Sequence, residues 1–464
     1  MEISAPCAII CLKEAEPMFK RKVYDALAEW KEKYSKKYAA MLEGARRVGK
    51  STVAEEFAKN NFKSYIKIDF ANIEKDVLEV FDDIASLDMF FLRLQTATGI
   101  TLYPGESVII FDEIQRAPLV RQAIKYLVAD GRYSYIETGS LISIKKNVKN
   151  IVIPSEEYFI QVYPMDYEEF LWATGNDTYD VLRQLYKTGK PVGEKLNRKL
   201  MRDFRIYMAV GGMPQAVEAY VNGNNFEEID RVKRSILKLY EEDFYKIDNS
   251  GRISKMYNSI PNQLAANKKR YVISSATGKR TTNRDKEIFS ELLDSKTVLI
   301  SHNVTDPSVS LIATADEESY KLYISDIGLF TTLLFNSVDK LHTKIYSKLL
   351  SDKLDINLGY MYENVAAQII ASSGNRLFYH TWKKDDDVHH YEVDFLIASK
   401  AKLVPMEIKS SNVNTHKSIS AFSIKYSKKV YRQYLFSQKD VGHKEQLIYK
   451  PIYMLPFVLE ELSN

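Results

Sequence analysis

Cysteine is nearly missing from these 464 residues: Cys7 and Cys11 are the only two thiols. A pair four residues apart, with no second pair and no histidine nearby, excludes a zinc site. Both read as small buried hydrophobes, and usage this low suits a reducing cytosol. Long apolar runs are missing too. Ala5–Leu12 is apolar but has no basic flank before it and is too short to span a bilayer. The expectation is a cytoplasmic protein with no membrane association. An excess of charge of one sign is also lacking: 65 basic against 61 acidic side chains leave +4. Any nucleic-acid binding must therefore come from local clustering. Internal repeats and low-complexity tracts are absent, as is the N-K-x-D element with which GTPases read guanine.

What is present is ordinary globular composition, 45% hydrophobic and 27% charged, which excludes wholesale disorder. The chain is too long for one core, so two or three domains are expected. Residues 13–38 read as an amphipathic helix with Val23, Leu27 and Trp30 at helical spacing. From Ala39 strands and helices alternate. Strands are expected at Ala39–Leu42, Ser64–Phe70, Ser107–Phe111, Ser134–Thr138 and Tyr158–Tyr163, and helices at Ser51–Asn60 and Leu119–Asp130. That alternation predicts a parallel sheet covered on both faces. Residues 165–250 are mostly helical, broken at Gly211–Gly212 and Pro214. Residues 252–312 read as a small helical unit, with Thr282 as an N-cap, followed by an apolar strand pair, a pattern compatible with a winged helix. Mixed α/β patterning returns after about Lys321.

The strand Ala39–Leu42 runs into Gly44-Ala45-Arg46-Arg47-Val48-Gly49-Lys50-Ser51, a full G-x-x-x-x-G-K-[ST] phosphate-binding loop. The glycines let the backbone turn its N–H groups toward phosphate oxygens. The helix that follows adds the positive end of its dipole. Lys50 is expected on the β- and γ-phosphates and Ser51 on magnesium, with Thr52 beside it completing the contacts to the nucleotide. The apolar strand Val108–Phe111 ends in Asp112-Glu113. There Asp112 is expected to hold magnesium and Glu113 to act as general base on the attacking water. A water-polarising glutamate beside the magnesium aspartate, without N-K-x-D, points to ATP. The next strand ends at Glu137-Thr138-Gly139-Ser140. Ser140, with Thr138 second, is a candidate for sensing the γ-phosphate or orienting the water. Capping of the following turn is the other reading.

Near the C-terminus His390–Ile397 alternates as one strand, and Lys402–Lys409 reads as its neighbour. Period two puts Asp394 on one face with Glu392 and Leu396, and Glu407 with Lys409. If the strands pair, Asp394, Glu407 and Lys409 converge, with Glu363 as a further ligand from the helical stretch Tyr362–Ile370. Two carboxylates and a lysine suit metal-assisted phosphodiester hydrolysis, the carboxylates holding magnesium and Lys409 activating water. An exposed hairpin with solvated charges is the other reading. The run Lys383–Asp387 reads as a turn. The basic segment Lys268–Arg284 is either a DNA contact or a solvated loop.

Taken in order, GARRVGKS (44–51), IIFDEIQ (109–115), ETGS (137–140), YPMDYEEF (163–170), GGMPQAV (211–217), YISDIGLF (323–330), YENVAAQII (362–370), EVDFLI (392–397) and MEIKSS (406–411) span nearly the whole chain. This resembles a prokaryotic family of AAA-type ATPases of the archaeal-ATPase kind, with a C-terminal restriction-endonuclease-like domain of unknown function. The resemblance implies an α/β protein: an N-terminal helical extension (1–38), a P-loop NTPase parallel sheet (39–165), a helical lid (166–250), a winged-helix-like segment (251–320) and a nuclease-like α/β domain (321–464). It places the nuclease constellation on Glu363, Asp394, Glu407 and Lys409. ATP and magnesium are the implied cofactors. DNA, a protein partner and further copies of the chain are candidate partners. One departure stands out. Where family members often carry a small-residue-Gly-Arg element, this chain reads IVIPSEEYF (151–159), so the arginine expected near the nucleotide is either missing or supplied from elsewhere. Arg46, Arg47, Arg116 and Arg132 are the candidates.

Overall fold

The computed structural model describes residues 19–84, 86–139, 152–223, 225–266, 268–307, 310–335, 342–351, 358–384, 389–410 and 416–463. Cys7, Cys11, Ser140 and most of the expected turn at Lys383–Asp387 lie outside them. The chain divides into two compact units, one ending at Tyr163 and the other beginning at Pro164. Among the described residues no helix is long and apolar enough to cross a membrane.

The first unit is built on five strands: β1 (Ala39–Glu43), β2 (Ser64–Asp69), β3 (Ser107–Asp112), β4 (Ser134–Gly139) and β5 (Glu157–Gln161). All neighbours are parallel, in the order β2-β3-β4-β1-β5. Each expected strand is present within a residue or two at its ends. β3 is buried along its whole length, which is why it reads as an unbroken apolar run. Ile109 and Phe111 join one core with Tyr135, Phe90, Leu94, Ile124 and Leu127. Val108 and Ile110, equally buried, point to the opposite face. The helices Leu87–Thr98 and Pro118–Asp130 supply the cover on the first face. The helix Val23–Lys33 is part of this unit. It buries Val23, Leu27 and Trp30, and Arg21 just before it donates to the carbonyls of Val48 and Tyr163 at 2.9 and 2.7 Å.

The second unit opens with helices, among them Tyr167–Ala173, Glu194–Val210, Pro214–Gly223 and Phe226–Ile247, and continues through four more from Arg252 to Asp294. Nine strands follow: β6 (Val298–Val304), β7 (Ala315–Ile324), β8 (Leu377–Lys383), β9 (His390–Val393), β10 (Phe395–Ser399), β11 (Lys402–Ile408), β12 (Gln433–Ser437), β13 (Gly442–Lys444) and β14 (Leu447–Pro451). They form two sheets, β7-β6-β8-β9 and β10-β11-β12-β14-β13. The expected strand pair after the helix Asn283–Asp294 is the antiparallel pair β6–β7. However, β6 also pairs with β8, so this hairpin shares a sheet with residues beyond 320. The strand expected over His390–Ile397 is corrected: it is two strands, β9 on β8 and β10 on β11. Asp394 is the single residue between them, and its carboxylate accepts from the backbone N–H of Ile408 at 2.7 Å. The backbone changes sheets there, and alternation does not carry through it.

Several of the recurring motifs meet inside this unit. Asp326 accepts from the N–H groups of Gly212 (2.6 Å) and Leu329 (2.8 Å). A Cβ on Gly212 would lie 2.0 Å from the carbonyl oxygen of Met165, and one on Gly328 would lie 2.3 Å from that of Val210. Asn364 bonds both backbone groups of Ile324, and Gln368 accepts from the N–H of Ile327 and donates to the hydroxyl of Tyr207. GGMP, SDIG and YENVAAQ therefore act on one another, through the buried, paired polar groups of Asp326, Asn364 and Gln368.

Candidate active site

The phosphate loop leaves β1 at Glu43 and enters the helix Lys50–Asn61. Gly44 passes so close to β5's exit that a Cβ would sit 2.1 Å from the carbonyl oxygen of Val162. Gly49 holds φ 93°, a left-handed conformation that glycine adopts without strain. No side chain caps this helix, so its first N–H groups remain available to an anion. Arg47, also left-handed at φ 71°, is exposed, as are Thr52 and Arg116, while Ala45 and Val48 are buried and Arg46 is partly exposed.

Lys50 is buried. Its ammonium donates to the carbonyls of Gly44 and Ala45, each at 3.0 Å. Burial pulls its pKa down to about 8, against the opposing pull of Glu113 and Asp112. The strand order puts β4 between β1 and β3, so Thr138 stands between the loop and Asp112. Ser51 Oγ donates to Asp112 Oδ1 at 2.7 Å. Thr138 Oγ1 donates to that same oxygen and accepts from the N–H of Glu113 at 3.3 Å. Glu113 is left-handed, φ 54°, and its Oε2 accepts from Gln115 Nε2.

The residues fit a magnesium nucleotide. Two hard oxygen donors, on Ser51 and Asp112, stand together beside an uncapped helix N-terminus and a buried lysine. Two contributors were missed from sequence. Lys67 of β2 holds Glu55 at 2.8 Å and stands 3.8 Å from Asp112 Oδ2. Gln115 orients Glu113. In both cases the link is side-chain convergence that no spacing rule reports. Of the arginine candidates, Arg132 is committed elsewhere. It pairs with Asp130 and Asp88 and stacks on Phe91, just before β4, at the end of the strands opposite the loop.

The C-terminal cluster also assembles. Lys409 Nζ is 2.6 Å from Glu407 Oε1. Lys321 of β7, which sequence reading missed, bridges Glu363 (2.8 Å) and Glu392 (2.7 Å), and Tyr323 donates to Glu363. Burial, then Glu407 and Glu363, push the Asp394 pKa well up. Burial raises Glu407 against the pull of Lys409, and Glu407 Oε2 is buried with no hydrogen-bond partner. Burial depresses Lys321 and Lys409, but their carboxylate neighbours outweigh it and both are raised. The donor chemistry suits a hard cation. The spacing does not: among the described residues no group of three His, Cys, Asp or Glu side chains is placed to hold a metal ion. In the basic segment Lys268–Arg284, the side chains of Lys268, Lys269, Arg270, Lys279, Arg280 and Arg284 are exposed.

Residues 36–171 match the family model of an AAA domain. Residues 201–340 and 358–454 match two models, each described as a domain of unknown function (DUF8612 and DUF4143). No curated protein matches the chain. Among solved structures, Cdc6p from Pyrobaculum aerophilum is 12% identical over 75% of this chain and 99% of its own, at a TM-score of 0.23. A signal transduction ATPase with numerous domains and a tetratricopeptide repeat sensor, from Pyrococcus horikoshii, is 11% identical over 76% of this chain and 48% of its own, at 0.28. Likenesses this low carry no argument about arrangement or activity. The family match and the loop geometry agree on one segment: residues 36–171 are a P-loop ATPase domain of the AAA type.

Proposed function

We propose that this protein binds and hydrolyses Mg-ATP at the phosphate loop, and that nucleotide state controls its C-terminal half. The observation that carries the first part is the convergence of the Ser51 and Thr138 hydroxyls on one oxygen of Asp112, beside the buried Lys50. On this reading Lys50 leaves the Gly44 and Ala45 carbonyls for the β- and γ-phosphates. Ser51 and Asp112 would hold magnesium, which would supply charge neutralisation on the phosphate oxygens. Glu113, oriented by Gln115, takes the proton of the attacking water. Thr138 keeps Asp112 and Glu113 in register, and Ser140, outside the described residues, is the first candidate for sensing the γ-phosphate or orienting the water, with Thr138 second.

For the C-terminal half the first reading is metal-assisted cleavage of a nucleic acid by Glu363, Asp394, Glu407 and Lys409: one carboxylate oxygen there is unpartnered, but no three of the described carboxylates are placed to hold the metal ion. The second reading is a slow ATP-dependent switch that binds a partner and cleaves nothing. The neutralisation of Glu363, Glu392 and Glu407 by Lys321 and Lys409 favours it. Two measurements decide. Lys50→Ala should abolish phosphate release, and turnover with and without DNA shows whether the halves are coupled. Magnesium-dependent plasmid nicking that disappears in Asp394→Ala or Glu407→Ala supports cleavage, and no nicking under varied ATP and metal supports the switch. DNA contact by the exposed Lys268–Arg284 segment predicts affinity that falls steeply with salt.

A further inference from the structure

On the other face of the β11-β12-β14 sheet from Glu407, the second unit holds a cleft of about 750 Å³. The register sets the faces. Glu407 aligns with Leu435, whereas Tyr434 aligns with Ile448 and Met406, and Lys450 aligns with Phe436. Alternation therefore turns Tyr434, Ile448 and Lys450 away from the carboxylate cluster. The far wall comes from the helix Tyr179–Thr188 and the C-terminal helix Leu455–Ser463.

The charges in this cleft do not cancel. Its two acids are already engaged. Glu460 takes Arg183 at 3.0 Å, and Glu461 accepts from both Arg432 and Tyr186. Three lysines remain, Lys187, Lys400 and Lys450, and none makes an ion pair with a described residue. Lys450 is the telling one. Its side chain lines the cleft while the residue is only 7% exposed. Its ammonium forms no hydrogen bond with a described residue and instead sits 4.7 Å from the centre of the Tyr186 ring. A buried ammonium without an ion-pair partner is costly. Burial lowers its pKa, against the pull of Glu461, which is already committed to Arg432 and Tyr186, and of Asp440. An anion in the cleft would remove that cost.

We propose that this cleft is a binding site for a small phosphate-bearing anion of mononucleotide size, with Lys450 as its central contact. The volume lies within the roughly 300–1,000 Å³ range of small-molecule sites. The aromatic wall of Tyr186, Tyr434 and Phe457 can take a planar ring, and exposed Lys187 and Lys400 at the mouth steer a negative ligand inward. A phosphate belonging to a nucleic-acid backbone has the same chemistry, and the experiment separates the two sources.

The test uses the full chain carrying Lys50→Ala, so that the phosphate loop does not compete. Pyrophosphate and AMP are titrated calorimetrically at low salt, and a short single-stranded oligonucleotide is titrated by fluorescence anisotropy. Saturable binding of pyrophosphate or AMP at one per chain is expected. Adding Lys450→Met should weaken it by about tenfold, the scale of one charge-assisted hydrogen bond. Lys187→Glu and Lys400→Ala, both at exposed positions, should each weaken it by about threefold and keep the test intact if Lys450→Met does not fold. No saturable binding of either small probe, or binding unmoved by all three changes, overturns the proposal. Binding of the oligonucleotide alone overturns the assignment to a small ligand.

Discussion

The hydroxyl of Ser51 donates to Asp112 Oδ1 across 2.7 Å, although 61 positions separate the two in the chain. The contact joins the phosphate loop to the end of β3, and Thr138 closes the same group from the strand between them. Two strand ends and the first turn of a helix thus deliver oxygens to one point. On the proposed reading Glu113, the residue after Asp112, is the candidate base, and its role is what separates hydrolysis from binding alone.

Glu113→Gln should bind ATP as tightly as the parent and lose turnover by roughly 100- to 10,000-fold, the usual cost of removing a general base. Phosphate release alongside nucleotide titration checks it. Parental turnover in this variant would falsify the assignment of Glu113.

Thr138→Val keeps the shape of the side chain and removes the hydroxyl that links Asp112 to the N–H of Glu113. Turnover should fall by about 10- to 100-fold, as for other partners that orient a metal ligand, and Thr138→Ser should restore it. If valine and serine behave alike, the hydroxyl has no positioning role.

Nucleotide affinity should weaken above about pH 8, where the buried ammonium of Lys50 gives up its proton. The sign follows from the charge. The protonated form attracts phosphate, burial lowers the pKa, and each further pH unit costs up to about tenfold in affinity. ADP titrations from neutral to alkaline pH read this directly, and a flat profile rules it out.

Glu137 carries a pH dependence of the same origin, burial, with the pKa shifted in the opposite direction. It is fully buried on β4 with neither oxygen hydrogen-bonded. Burial and then Glu157 push its pKa well up, against Arg121, whose own bidentate pair is with Glu157. Between the ordinary carboxylate value and the raised one, the folded chain holds a proton that the unfolded chain has released. Stability therefore falls as pH rises through that window. Glu137→Gln should flatten the decline, measured as urea midpoints between about pH 5 and 8. An unchanged slope would place the dependence elsewhere.

Gly212→Ala should destabilise the second unit by about 1–3 kcal/mol, because its Cβ would sit 2.0 Å from the Met165 carbonyl oxygen. Gly223→Ala, at a position with nothing within 4 Å, is the control. Equal unfolding midpoints for the two variants would mean that the close approach relaxes freely.

Local pattern alone determined the parallel sheet of the first unit and its phosphate loop. β3 is apolar throughout because both of its faces are buried, and the loop needs glycine at Gly44 and Gly49 for reasons of backbone space and φ. Periodicity and turn chemistry register both. Other features depend on partners far away in sequence. Asp394 ends one strand and begins another because its carboxylate holds the Ile408 N–H and the chain changes sheets there; alternation read straight through it. Lys321 enters the C-terminal cluster from a strand 42 positions before Glu363, and no motif marks a lone lysine. Lys450 reads in sequence as one more surface lysine. Only the packing of two helices over β12 and β14 leaves its ammonium buried, facing a cleft. Sequence carries what a residue's own neighbours dictate, and the tertiary structure decides where distant charges must meet.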